Sequence, residues 1–296
     1  MSNLALRWLT AAILIPPVVW VCKVGGFAYV ALVIGFAVAA VNEFYNLISF
    51  KGARPHRLLG TAAVALLPVI VYVGDLFYAT SLMTAVLLAL MIVQLAQREI
   101  HEAIASVSAT FFGVFYVGWL LAHAVSVRFI SEDLVRRYGD LAAVDIDPEV
   151  GFFYIILCLV AGYGCDTGAY FVGRAYGRRK LAPAISPNKT LEGALGGLVA
   201  GALGAVCAKA AFDYLPGHLS HDLSYSAAVI FGIVIASAGI VGDLVESLLK
   251  RDAEVKDAGS LLPGVGGVLD RVDSALLAIP VTYYLLLAYY YLRLGV

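Results

Sequence analysis

The sequence predicts an all-α integral membrane protein of about nine transmembrane helices, with a cytoplasmic N-terminus and a polar cavity opening to the cytoplasmic side. Three observations predict it. Hydrophobic residues fill 61% of the 296 positions and charged residues only 14%, where soluble domains carry about 25% charged residues; mean hydropathy is +0.89. Apolar windows long enough to cross about 30 Å of hydrocarbon recur along the whole chain. None of them alternates as a barrel strand would, and a helix satisfies its own backbone in lipid.

The windows follow in order. The first, 5–24, sits where a signal peptide would, but it has no small-residue cleavage site and eight more windows follow it. The second, 26–48, carries Glu43 near its end. The third, 58–74, is short; 77–96 and 107–129 complete an N-terminal set of helices within 1–130. The acidic stretch 130–150 reads as a solvated connector with a helix at 131–138 capped by Ser131. The remaining windows, 151–172, 193–214, 226–249 and 271–293, lie in the segment 151–296, and the whole chain, 1–296, reads as a single membrane domain. Gly193, Gly197 and Gly201 recur every four residues in the seventh window, a small-residue face suited to close helix packing in lipid. Cys22, Cys158, Cys165 and Cys207 stand singly within apolar windows, a pattern of core packing without metal or disulfide spacing.

Charge placement orients the chain. With the N-terminus inside, most of the 20 Lys and Arg fall in inner segments, among them Lys51, Arg54, Arg57, Arg98, Arg178, Arg179 and Lys180. Lys23, Arg128, Arg136, Arg137, Lys209 and Arg293 fall elsewhere, and the C-terminus lies outside. The formal net charge of −1 points to no nucleic acid or other polyanionic partner.

Between the last two windows, from Gly242 to Ser274, the chain packs a dense polar cluster. A charge in a spanning helix costs about 2.5–3.5 kcal/mol on insertion scales, so such a cluster points to function. The topology brings Asp166, Asp243 and Asp270 to the cytoplasmic side, joined by Glu43. Asp243, Ser247 and Lys250 share a helical stripe at i, i+4 and i+7, and Asp270 and Asp273 share a face at i, i+3. Oxygen ligands of this kind suit Mg²⁺ and make Asp243 and Asp270 candidate metal ligands. Intramembrane ion pairing is the alternative for both, as it is for Glu246 and Asp273. Next to them runs GSLLPGVGG, 259–267, in which Gly264, Gly266 and Gly267 would let backbone N–H groups approach an anion. Lys250, Arg251, Lys256 and Asp257 precede it and Arg271 follows it, so cations, backbone donors and carboxylates gather as a polyphosphate requires. A second basic loop adds Lys189, a functional candidate within the compact SPNKT turn, and Arg178, Arg179 and Lys180, which read as residues for topology or anionic headgroups.

These residues carry a resemblance. SLLKRDAEVKDAGSLLPGVGGVLDRVD, Ser247 to Asp273, resembles the signature of the phosphatidate cytidylyltransferase (CDP-diacylglycerol synthase) family. DTGAYFVGRAYGR, Asp166 to Arg178, and SPNKTLEG, Ser186 to Gly193, are similar to two further blocks of that family in the expected order. The N-terminal half matches only in hydropathy and in NEFYNL, Asn42 to Leu47. Two departures stand out: Val265 occupies the place of the family's histidine, with none of the five histidines in that loop, and Leu191 replaces a tryptophan.

The resemblance implies a Mg²⁺-dependent transfer from CTP to phosphatidic acid, giving CDP-diacylglycerol and pyrophosphate, with a second cation such as K⁺. It also implies a homodimer in the inner, cytoplasmic membrane with its active site facing the cytoplasm. Asp243 and Asp270 would hold the metal, with Lys250, Arg251 and Lys256 as further catalytic groups. Asp166, Lys189, Ser247, Asp257, Gly264, Gly266, Gly267, Arg271 and Asp273 would bind substrate. Two alternatives remain: a CTP-dependent kinase or nucleotidyltransferase acting on another lipid, and an anion transporter.

Overall fold

The computed structural model describes residues 3–74, 76–97, 102–139, 146–215, 219–220, 222–259 and 266–294. It is nearly all helical. In order come α1 (Asn3–Val24), α2 (Gly26–Ser49), α3 (Arg57–Val73), α4 (Leu76–Leu95), α5 (Ala103–Gly113), a π-helical segment (Val114–Trp119) and α6 (Leu120–Arg128). There follow α7 (Ile130–Tyr138), α8 (Val150–Tyr176), β1 (Lys180–Ala182), β2 (Ser186–Thr190), α9 (Leu191–Tyr214), α10 (Tyr225–Asp252) and α11 (Leu269–Leu294).

The apolar windows coincide with these helices to within a few residues, α5, the π segment and α6 together answering to 107–129. Among the described residues, seven helices are long and apolar enough to cross a membrane. Arg57–Val73 and the described apolar part of the first helix, Ala12–Val24, are shorter.

By contact density the chain divides into two compact units, Met1–Val125 with Leu249–Val272, and Ser126–Leu248 with Asp273–Val296. In the first, α2 packs along α3 around the fully buried Tyr45. The Tyr45 hydroxyl donates to Thr110 O at 3.0 Å. The ring fits because Gly60 and Gly113 have no Cβ to oppose it. The Thr110 hydroxyl accepts from His56 N at 2.9 Å, and the Ser106 hydroxyl accepts from Arg54 N at 3.1 Å. These bonds sew the loop after α2 onto α5. Gly118 lets the π segment approach α3, since a Cβ there would stand 2.8 Å from Val64 Cγ2.

In the second unit α8 and α9 pack along one another. The predicted glycine seam lies in it. A Cβ at Gly193 would stand 2.9 Å from Ala169 O, and one at Gly197 would stand 2.9 Å from Cys165 Sγ. At Gly201 the neighbour is α10, with Ala236 Cβ at 2.7 Å. Backbones approach this closely only where side chains are minimal, and dispersion along the contact is what holds helices together in lipid. Three of the cysteines are buried as expected, whereas Cys207 is exposed.

Two buried basic residues of the second unit have acidic partners. Lys209, 4% exposed, donates to both Asp213 oxygens at 2.9 and 3.0 Å and to Ser220 O at 3.2 Å. Arg128, 2% exposed, pairs with Glu149 at 2.5 Å. Ser131 differs from its expected capping role. The helix begins one residue earlier, at Ile130, and the Ser131 hydroxyl donates instead to Pro148 O at 2.9 Å.

Candidate active site

In the second unit, three carboxylates converge. Asp243 and Glu246 of α10 and Asp273 of α11 each offer an oxygen, all within 4.8 Å of one another. Gly242 makes this possible: a Cβ there would stand 2.6 Å from Asp273 O and 3.3 Å from Ser274 Cα, so α11 at Asp273 and Ser274 lies directly on α10. Glu246 is 1% exposed. Like charges gathered in a poorly hydrated place repel one another, so the group requires cations nearby. Lys189 supplies one, its Nζ lying 2.6 Å from Asp243 Oδ2. The Ser247 hydroxyl reaches Asp243 Oδ1 at 3.5 Å, along the stripe that the spacing predicted.

Lys189 is delivered by a structural device absent from the sequence reading. β1 and β2 pair antiparallel, with Lys180 opposite Thr190 and Ala182 opposite Ser186. Thr190 then caps α9, its hydroxyl accepting from Gly193 N at 3.1 Å. Glu192 accepts from Arg178 N, Arg179 N and Arg179 Nε at 3.0–3.1 Å, which fixes the strand's approach. Arg179 is thereby engaged with Glu192, and Arg178 is exposed. Asp166 is exposed on α8.

In the first unit, Asp270 organises the loop that joins α10 to α11. Its side chain, 8% exposed, takes Lys250 Nζ at 2.8 Å. It also accepts from Ala258 N at 3.1 Å and Gly267 N at 3.1 Å. Gly266 has φ +106°, a left-handed conformation that favours glycine. Gly267 serves close approach: a Cβ there would stand 2.6 Å from Glu43 Oε2 and 2.9 Å from Asp270 Oδ2. Its N–H is thus directed at a carboxylate of the protein. Glu43 Oε2 accepts from Leu269 N, the first residue of α11, at 2.8 Å. Lys51 pairs with Asp252 at 3.4 Å, joining the loop after α2 to the end of α10.

Of the other sequence-predicted residues, Arg251, Lys256, Asp257 and Arg271 are exposed. Gly264 and Val265 lie outside the described residues. Sequence reasoning passed over two groups: Glu246 as part of a carboxylate cluster, although it stands at i+3 from Asp243, and Glu43 as the cap of α11. Carboxylate oxygens, with no sulfur or imidazole among them, are the donors of hard divalent cations such as Mg²⁺, so the residues present fit such an ion.

The chain matches the cytidylyltransferase family over residues 5–289. It is 40% identical over 161 residues to the phosphatidate cytidylyltransferase of Haemophilus influenzae, covering 54% of each chain. To phosphatidate cytidylyltransferase 5, chloroplastic, of Arabidopsis thaliana it is 33% identical over 266 residues, 84% of this chain and 63% of that one. To the phosphatidate cytidylyltransferase of Brucella suis it is 30% identical over 285 residues, 96% of this chain and 93% of that one. The match therefore spans roughly half to two thirds of the first two relatives and nearly all of the third.

Proposed function

Because the chain belongs to the cytidylyltransferase family, we propose that it joins CTP to phosphatidic acid, releasing CDP-diacylglycerol and pyrophosphate. The observation that carries this reading is the carboxylate group of Asp243, Glu246 and Asp273 with Lys189 set against it. Such a group suits a triphosphate substrate that arrives with a divalent cation.

Asp243 and Asp270 would each supply carboxylate oxygen to Mg²⁺, the role expected of them from the sequence. Hydrogen bonds from Lys250, Ala258 N and Gly267 N orient the Asp270 carboxylate, the kind of support that ligating carboxylates receive. Glu246 and Asp273 extend the oxygen set for a second cation, which the family resemblance makes K⁺. When bound, Mg²⁺ neutralises triphosphate charge and polarises the phosphoryl group under attack.

The rest falls to the chain's own residues. Lys189, Lys250, Arg251 and Lys256 draw in the phosphates of CTP and of the lipid, with Asp166, Ser247, Asp257, Arg271 and the glycine turn shaping the substrate pocket. An oxygen of the phosphatidate monoester forms the new bond to the α-phosphorus of CTP. The bond from that phosphorus to the oxygen bridging to the β-phosphorus breaks, and its electron pair leaves on pyrophosphate. A phosphomonoester has a second pKa near 6, so at neutral pH it is already largely dianionic and needs no strong base. Val265 in place of a histidine is compatible with that chemistry. Catalysis rests on alignment and charge neutralisation.

The proposed setting is nine spans, a cytoplasmic N-terminus and an active site on the cytoplasmic face of the inner membrane, in a homodimer. The placement of Lys and Arg supports the orientation. The test follows the label from α-phosphate-labelled and γ-phosphate-labelled CTP incubated with the purified chain and phosphatidate. The expected result is α-label in lipid, γ-label in pyrophosphate, and dependence on added phosphatidate. Lipid carrying the γ-label would instead identify a kinase, and neither label in lipid would reject both.

A further inference from the structure

The first unit holds one buried carboxylate that the proposed mechanism does not use. Glu43 of α2 is 7% exposed. Its Oε2 accepts from Leu269 N at 2.8 Å, while Oε1 has no hydrogen-bond donor among the described residues. A carboxylate buried with so little compensation is costly, and a side chain kept only for packing would be apolar. The loop is shaped to admit it. Added Cβ atoms at Gly259 and at Gly267 would both press on the Glu43 carboxyl group. The chain therefore leaves a slot between two glycines for a side chain 226 positions before Leu269.

What Glu43 holds there is the start of α11. The first N–H groups of a helix have no partner within it, and their positive end favours an anion. Arg271 N and Val272 N find Val268 O at 3.0 and 3.2 Å. Leu269 N is answered by Glu43, while Asp270, inside the same turn, reaches back to Gly267 N at 3.1 Å. Two carboxylates thus engage one peptide turn, Asp270 from within the helix at Gly267 N and Glu43 from α2 at Leu269 N. The position of Asp270, and through it of Lys250 at 2.8 Å, depends on where this turn is fixed.

We propose that Glu43 is a positioning residue: it caps α11 from α2 and so sets the placement of Asp270 and Lys250. The inference rests on the reading of Asp270 given above, and its test separates the two. Hydrogen exchange of peptides covering 253–259 and 266–272 is measured in the full chain for Glu43→Ala, Glu43→Gln and Gly267→Ala, alongside turnover. Glu43→Ala is expected to speed exchange of those peptides about tenfold, the scale of a lost helix cap. It should lower turnover with little change in KM for CTP. Glu43→Gln, which keeps an oxygen for Leu269 N, should recover most of both. Gly267→Ala should speed the same local exchange with Glu43 still present, and serves if Glu43→Ala does not fold. If local exchange rises but turnover holds, Glu43 caps the turn yet Asp270 has no part in the chemistry. Unchanged exchange in Glu43→Ala and Gly267→Ala, or an equal rise throughout α2, α3 and α5, would overturn the positioning role itself.

Discussion

Replacing Asp243 by Asn is expected to lower Mg²⁺-dependent CDP-diacylglycerol formation by about 100-fold or more, the scale of a lost Lewis-acid contribution. The same is expected of Asp270→Asn, for a related reason. Asn keeps the size and one acceptor oxygen of Asp, so packing survives while the charge that holds a cation is lost. Each change also removes the charge from a lysine's ion pair, that of Lys189 at 2.6 Å in the first and that of Lys250 at 2.8 Å in the second. In Asp270→Asn the neutral amide accepts more weakly from Ala258 N and Gly267 N, because hydrogen bonds to charged groups are the stronger kind. Steady-state rates over a Mg²⁺ titration, with thermal unfolding in detergent as the control for folding, check both. Full activity in either variant would remove that residue from the metal assignment.

Gly197→Leu is expected to cost the second unit its assembly. A first added carbon already stands 2.9 Å from Cys165 Sγ and 3.0 Å from Cys165 O, and the leucine has three more to place. Overpacking of an ordered interior costs about 1–3 kcal/mol, occasionally more, and an unyielding backbone carbonyl puts this site at the upper end. The expected result is a lower unfolding temperature and loss of a monodisperse peak in size-exclusion chromatography. Leu195→Ala, at a position 60% exposed on the same helix, should leave both nearly unchanged. A Gly197→Leu protein as stable as the unaltered chain would mean that α8 and α9 do not meet along this face.

The helices were legible because long apolar runs admit only one backbone solution in lipid. The glycine seam was legible because a four-residue spacing of small residues can form only one stripe on a helix. The hairpin of Lys180–Ala182 and Ser186–Thr190 was not. Its strands are too short to show alternation, and Pro183 and Pro187 obscure what remains. Asp243, Ser247 and Lys250 were readable as a stripe within one helix, and the Ser247–Asp243 approach follows from it. Glu43 was placed at the correct end of its helix, yet its bond to Leu269 N joins residues too distant for any local pattern to reveal. The carboxylate cluster lay between these cases. Glu246 stands one turn from Asp243, but only the close crossing at Gly242 brings Asp273 to them.

The proposed role of Asp243 and Asp270 is to bind a divalent ion that accompanies the nucleotide. Mn²⁺, which shares the oxygen preference of Mg²⁺, makes it directly measurable by electron paramagnetic resonance on the detergent-purified chain with CTP. A saturable bound Mn²⁺ is expected in the unaltered protein, with its loss in Asp243→Asn and in Asp270→Asn proteins that remain folded. Undiminished Mn²⁺ binding in both variants would contradict it.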